Sequence, residues 1–233
     1  MTRSAGIDVG GTKCLAVVVD DSGDVIAHER VPTPIASELA DTLVRLLASL
    51  GGFDTVGVGV PGLITPQGVI RSSPNLSSAV ELPLGELLRS RLSVPVVIDN
   101  DATAAAYGEW SVGAGQGSSD MWMVTLGTGI GGGLVAGGQV QRGAHGFAGE
   151  IGHIVVEIDG QPCPCGLRGC WERYASGSAL SRLAGGEPGA SVVDRARRGD
   201  ADALSVVDRF ARYVAVGLVS LTNATDPEAL VIG

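Results

Sequence analysis

No run of the sequence is long and apolar enough to read as a membrane span, and the opening Met1-Thr-Arg-Ser-Ala lacks the apolar stretch of a targeting segment. Those two absences predict a cytoplasmic protein with no membrane partner. Positive charge is also short, with 16 Lys and Arg against 25 Asp and Glu for a net charge of −9. Such a balance repels a phosphate backbone, no basic stripe offsets it, and no helix-turn-helix pattern precedes Gly6, so nucleic acid is not an expected partner. Cysteine is scarce, at four in 233 residues without a secretory signal, which fits a reducing compartment better than a disulfide scaffold. No Gly-x4-Gly-Lys-Ser/Thr string occurs, which removes the P-loop.

What is plentiful is glycine, 36 residues gathered in tight loops rather than a low-complexity linker. The hydrophobic share of 45% can build a core for one large or two modest domains. Ile7 to Val9, Leu15 to Val19 and Val25-Ile26, separated by glycine and Asp-Ser-Gly-Asp turns, predict three antiparallel strands. Ser37 to Leu50 carries Leu39, Leu43, Leu46, Leu47 and Leu50 at helical spacing. Thr55 to Val60 and Val94 to Asp99 are short Val-rich runs suited to a parallel sheet. The expected class is α/β.

The second half repeats a device of the first. Asp8-Val-Gly10-Gly11-Thr12 leads from one strand run into another, and Leu126-Gly127-Thr128-Gly129 leads from the Met121 to Leu126 run through glycines to Leu134. A glycine hairpin tip exposes backbone N–H groups and a Thr hydroxyl, which can hold phosphate oxygens without side-chain charge; either tip alone can also be a plain tight turn. Gly127-x-Gly129-x-x-Gly132 also fits a dinucleotide fingerprint with Glu150 as its ribose acid. That fingerprint needs a helix directly after the glycines, and Gly133-Leu-Val-Ala-Gly-Gly138 is too glycine-rich to form one.

Val94 to Asp99 runs into Asn100, Asp101 and then Ala102 to Trp110, which has helix-forming composition. Ligands of open α/β sheets collect at the carboxyl ends of strands, so Asn100 and Asp101 are candidate site residues, while Asp99 or Asp101 can instead cap the helix. Farther on, His153 is followed by nine residues and then by Cys163-Pro-Cys165-Gly-Leu-Arg-Gly-Cys170, with Glu150 and Glu172 flanking the set. One His and three thiolates complete a closed tetrahedral zinc site, structural rather than catalytic; a disulfide with a free thiol, or three buried thiols, are the alternatives. Cys14, alone in an apolar run, is expected to be a small buried residue.

Together Asp8-x-Gly-Gly-Thr12, Asn100-Asp101, Leu126-Gly-Thr-Gly-Ile-Gly-Gly-Gly133, Glu150-x-Gly-His153 and Cys163-x-Cys-Gly-x2-Gly-Cys170-x-Glu172 resemble the ROK sugar kinases, in particular the bacterial glucokinase branch; Tyr174-Ala-Ser-Gly177 resembles the same branch. The resemblance implies an actin-like ATPase (ribonuclease H-like) fold of two α/β lobes with a cleft between them, a small lobe over residues 1–104 and a large one over 105–233. It implies transfer of the γ-phosphoryl of ATP to the 6-hydroxyl of glucose. Asp101 would be the base, and Gly62, Asn100, Asp101, Glu150, His153 and Glu172 would bind the sugar. Asp8 would help hold Mg²⁺; Gly10, Gly11, Thr12, Lys13, Gly127, Thr128 and Gly129 would serve the nucleotide; and His153, Cys163, Cys165 and Cys170 would ligate Zn²⁺. A homodimer or homotetramer is implied as well.

The same resemblance leaves rivals: kinases for N-acetylmannosamine, N-acetylglucosamine or fructose, a polyphosphate-using glucokinase, a sugar-sensing repressor, and an inactive sugar-binding fragment. Repressors of the family carry a DNA-binding segment ahead of the first motif, where this sequence has seven residues before Asp8. Kinases of this type continue past the position of Gly233 with elements that supply much of the adenine pocket, so the resemblance also implies a shortened chain with apolar surface left uncovered.

Overall fold

The computed structural model describes residues 2–76 and 78–233. Contacts divide the chain into two compact units, Met1–Ala105 with Arg142–Ala148, and Ala106–Gln141 with Gly149–Gly233. The 142–148 segment therefore departs from the expected boundary at 104/105 and packs with the first unit. Among the described residues no helix is long and apolar enough to cross a membrane.

The first unit is built on a five-stranded sheet. Strands β1 (Ser4–Val9), β2 (Lys13–Val19) and β3 (Val25–Pro32) form an antiparallel meander; β4 (Thr55–Val60) joins β1 in parallel. After the small hairpin of β5 (Leu63–Ile64) and β6 (Ile70–Ser72), helix α2 (Leu84–Arg89) leads to β7 (Val96–Asn100), parallel to β4, giving the order β3-β2-β1-β4-β7. Alternation fixes which face is covered: Ala5, Ile7 and Val9, Cys14, Ala16 and Val18, and Val56, Val58 and Val60 are all buried. Helix α1 (Leu39–Ser49) lays Leu39, Leu43, Leu46 and Leu47 into the same core, joined by Leu84 and Leu88 of α2.

Two boundaries differ from the sequence reading. The helix expected from Ser37 begins as a 3₁₀ turn at Ala36–Glu38 and becomes α-helical at Leu39. The last strand starts two residues late, at Val96, and runs on to include Asn100, because ladder pairing with β4 extends to the Val60–Asn100 pair.

On the opposite face β4 offers glycine. A Cβ on Gly59 would lie 3.3 Å from the Cα of Asp101, so the missing side chain lets the first turn of α3 (Asp101–Val112) approach the sheet.

The second unit's four-stranded sheet repeats the order of the first four strands of the first unit. Strands β8 (Met121–Leu126), β9 (Ile130–Ala136) and β10 (Gln139–Gln141) form an antiparallel meander, and β11 (Ala229–Ile232) joins β8 in parallel, in the order β10-β9-β8-β11. The glycine turn is shorter than the sequence suggests. Gly131, Gly132 and Gly133 are strand residues paired with Thr125, Val124 and Met123, which leaves Gly127–Gly129 as the tip. Helices α4 (Glu172–Ala175), α5 (Gly177–Leu183), α6 (Gly189–Arg197) and α7 (Ala201–Thr225) complete the unit. Trp171 is fully buried, and its indole N–H donates to the Tyr213 carbonyl of α7 at 2.6 Å. A Cβ on Gly217 would overlap that indole, so α7 presents a glycine where the ring lies against it.

Candidate active site

In the first unit the candidate residues gather at the carboxyl ends of the parallel strands. Asp8 is the penultimate residue of β1, and Asn100 ends β7 directly before Asp101 opens α3. The helix cap is neither aspartate. Asn100 Oδ1 accepts from the Thr103 N–H at 3.0 Å, the N-cap geometry, while Asn100 Nδ2 donates to the Gly62 carbonyl at 3.1 Å. An amide has one further donor and one further acceptor site beyond these, so Asn100 can still meet a ligand.

Asp99 is held elsewhere, its Oδ2 accepting from Arg142 Nε at 2.8 Å and its Oδ1 from the Asn100 N–H at 3.0 Å. Arg142 is a residue that the sequence reading missed; one arginine beside a glycine carries no periodic signal, and its role appears only because 142–148 returns to the first unit.

Gly62 is fixed by geometry. Its φ of +110° is a left-handed value that L side chains resist, and a Cβ there would overlap the Ser72 carbonyl. The carbonyl that Asn100 Nδ2 meets is thereby aimed by a turn only glycine can make.

Asp101 Oδ1 accepts from the Ala102 N–H at 2.8 Å. Burial pushes the Asp101 carboxyl above its ordinary range, against the lowering effect of that backbone bond. Asp8 is pushed up too, by burial first and then by the Asp101 charge, while Lys13 pulls it down. Two acids whose mutual repulsion is only partly offset, with hard oxygen donors, fit a divalent cation of the magnesium type held at Asp8. They equally fit a proton acceptor at Asp101.

The first glycine tip, Gly10 to Thr12, is held by one side chain and its backbone. Thr33 Oγ1 donates to the Gly10 carbonyl at 2.6 Å, and the Thr33 N–H donates to the Thr12 carbonyl at 3.1 Å. The Gly10 N–H donates to the Lys13 carbonyl at 2.9 Å and closes the turn. Gly11, Thr12 and Lys13 are exposed.

In the second unit, Glu150 precedes a short 3₁₀ turn, Ile151–His153. His153 uses its two ring nitrogens in two directions: Nδ1 lies 3.6 Å from Cys163 Sγ, and Nε2 lies 3.8 Å from Glu150 Oε2. Cys165 Sγ and Cys170 Sγ are 3.6 Å apart, and the donor atoms of His153, Cys163, Cys165 and Cys170 all lie within 4.8 Å of one another. Zinc–sulfur bonds of about 2.3 Å at tetrahedral angles place sulfurs about 3.8 Å apart, close to the spacing observed.

All four cysteines are free, so the disulfide alternative is not formed; Cys163 and Cys170 are buried and Cys165 is exposed. Burial, together with the neighbouring thiols, pushes Cys170 up to about 12. Crowded sulfurs of this kind suit a thiophilic cation that takes the place of their protons. Cys14 is buried in β2, as expected.

Glu172 opens α4, and its Oε2 accepts from the Ile130 N–H at 2.9 Å, at the edge of the Gly127–Gly129 tip. Thr125 Oγ1 accepts from the Gly131 N–H at 3.0 Å on the same hairpin. The Glu172 contact connects the cysteine segment to the second glycine tip, a link that motif spacing does not carry.

The sequence profile of the ROK family matches residues 4–233. The chain is similar to the glucokinase of Streptomyces coelicolor, 37% identical over 260 aligned positions that cover 100% of this chain and 82% of that protein. It is similar also to the N-acetylmannosamine kinase of Yersinia pseudotuberculosis, 36% identical over 241 positions, with 100% and 83% covered. Among solved structures it resembles a ROK family glucokinase from Streptomyces griseus in complex with glucose and AMPPNP, with a TM-score of 0.86, 37% identity, and 99% and 82% of the two chains covered.

Proposed function

Since the chain belongs to the ROK family and has its actin-like ATPase fold, we propose that it is a sugar kinase that phosphorylates the 6-hydroxyl of glucose with ATP. The observation that carries this reading is Asp101, a half-buried carboxylate at a strand's carboxyl end, beside Asp8, with its proton affinity raised. A general base works best when its proton affinity approaches the operating pH without leaving the ionised form, and burial moves Asp101 in that direction. In the reaction the sugar 6-oxygen bonds to the γ-phosphorus, the bond from that phosphorus to the β–γ bridging oxygen breaks, and the hydroxyl proton passes to Asp101. Phosphoryl transfer asks the protein chiefly for positioning and charge stabilisation.

The remaining roles follow from chemistry at each position. Gly10 to Lys13 and Gly127 to Gly129 cradle the nucleotide phosphates. Sugar binding is assigned to Asn100, whose amide is held by the Gly62 carbonyl, and to Glu150, His153 and Glu172. Asp8 would hold a magnesium ion, which would supply neutralisation of the phosphate charge. His153 Nδ1, Cys163, Cys165 and Cys170 would hold a structural zinc, which would leave His153 Nε2 facing Glu150 for the sugar side. A second reading, a kinase for N-acetylmannosamine, draws on the 36% identity to the Yersinia enzyme.

A coupled ADP-release assay with ATP across glucose, N-acetylmannosamine, N-acetylglucosamine and fructose tests the proposal. The highest kcat/KM should belong to glucose. A higher value for N-acetylmannosamine would favour the second reading, and no turnover with any hexose would refute the kinase reading.

A further inference from the structure

The tip of the β8–β9 hairpin is held at three points by one short stretch of chain. Glu172 Oε2 accepts from the Ile130 N–H at 2.9 Å. The Gly177 N–H donates to the Gly127 carbonyl at 2.7 Å, and the Ser178 hydroxyl donates to the Thr128 carbonyl at 2.8 Å. The fit leaves no slack. A Cβ on Gly129 would overlap the Glu172 carboxylate, and one on Gly177 would lie 2.9 Å from the Gly127 oxygen.

The bracing stretch is itself anchored. Cys170 forms a bridge with Val155, the Trp171 N–H donates to the Ile154 carbonyl at 2.8 Å, and the Trp171 ring is fully buried. Glu172 thus follows, by two residues, one of the four metal-donor side chains.

We propose that Glu172 and Ser178 are positioning residues for the nucleotide phosphates, and that the His–Cys₃ knot sets nucleotide affinity through them. The inference rests on the reading of Gly127–Gly129 as a phosphate cradle. Glycines at a hairpin tip are free to sample many backbone conformers, and each one that must be ordered on binding weakens the ligand. Here the Gly127 and Thr128 carbonyls are engaged from one side, which turns the tip's peptide units in a fixed sense before any ligand arrives. The Ile130 N–H is drawn to a carboxylate, a charge-assisted bond stronger than a neutral one. A carboxylate has a second oxygen, so this role leaves Glu172 able to meet a sugar hydroxyl too.

The test measures binding of a non-hydrolysable ATP analogue by calorimetry without sugar, so that any sugar contact of Glu172 is silent, together with amide hydrogen exchange at residues 127–131. Glu172→Ala and Ser178→Ala should each weaken the analogue roughly tenfold and speed exchange at the tip. Glu172→Gln, whose amide oxygen can accept the same bond, should restore most of both. Ser178 is exposed, so its variant carries little risk to folding. Chelation of the metal should speed exchange at the same amides.

Wild-type affinity and exchange in both alanine variants would overturn the proposal. Faster exchange with unchanged affinity would overturn it as well, by showing that the tip is braced but is no phosphate cradle. Loss of affinity in Glu172→Gln equal to that in Glu172→Ala, with exchange unaltered, would mean a direct ligand contact instead. Metal removal without change at the tip would sever the link to the knot.

Discussion

Replacing Asp101 with asparagine changes one atom's chemistry and leaves the side chain's shape. The amide oxygen of the variant can still accept from the Ala102 N–H, as Asp101 does at 2.8 Å, so the start of α3 should be undisturbed. What is lost is the proposed proton acceptor, and general-base catalysis contributes roughly 10²- to 10⁴-fold, so kcat should fall by at least about 10²-fold while the sugar still binds. The pH profile should change in parallel. In the wild-type protein burial raises the Asp101 carboxyl above 3.8, so activity should fall as pH drops through that raised value, and the acid limb should be missing from the residual activity of the variant.

Stability moves the other way. A carboxyl with a folded-state pKa above its unfolded one favours the folded state most when protonated, below the unfolded pKa; that advantage is lost as pH rises through the folded pKa. At neutral pH the ionised Asp101 therefore destabilises the native state and adds to the repulsion that raises Asp8. Asp101→Asn should raise Tm at pH 7, with the gain shrinking as the pH is lowered through the folded value. Steady-state kinetics with glucose and ATP, and calorimetric melts across an acid-to-neutral pH series, measure both. A kcat within a few-fold of wild type, or a lower Tm at pH 7, would refute the argument.

Other perturbations have equally definite outcomes. Arg142→Ala leaves the largely buried Asp99 carboxylate without its ion-pair partner and should cost about 1–2 kcal/mol in urea unfolding, with Asp99→Asn in the same chain recovering most of it. Leu43→Ala empties a fully buried position of α1 and should cost about 2–5 kcal/mol; a loss under about 1 would contradict the packing described. Gly62→Ala should lower both Tm and sugar affinity, because its Cβ meets the Ser72 carbonyl; an unperturbed melt would refute the tight turn. Cys165→Ser, or chelation, should remove bound zinc as read by elemental analysis and lower Tm, since folding of such a loop is coupled to its metal.

The elements legible in the sequence are those with a strong period or an unambiguous stop. Leu39, Leu43, Leu46 and Leu47 announce α1 because a 3.6-residue repeat has few other uses, and Cys163 to Cys170 announce a cluster because thiols at that spacing fold onto one point. The cap of α3 is ambiguous in the sequence because Asp and Asn serve equally well there; only the Gly62 turn, which engages Asn100 Nδ2, decides the matter. The glycines after Gly129 read as turn residues because glycine has little strand propensity. Strand pairing overrides propensity at Gly131 to Gly133, and a Cβ at Gly132 would overlap Ile151. Arg142 and Ser178 are not legible at all, since each acts through a contact that spans more than forty residues of chain.

The shared topology of the two sheets conceals an unequal timetable. In the first unit β1 meets β4 some fifty residues downstream, as in the Ser4–Thr55 pair, whereas in the second β8 must await β11, more than a hundred residues later, as in the Met121–Ala229 pair. Thermodynamically the longer loop is a minor burden, since doubling a loop adds only about 0.6 kcal/mol. For a ribosome adding roughly 5–20 residues per second, however, β8 stands without its parallel neighbour for about 5 to 20 seconds. During that interval the apolar Met121-Trp-Met-Val-Thr-Leu126 strand lacks its parallel partner, and an unpaired edge of that kind is a template for pairing with other chains.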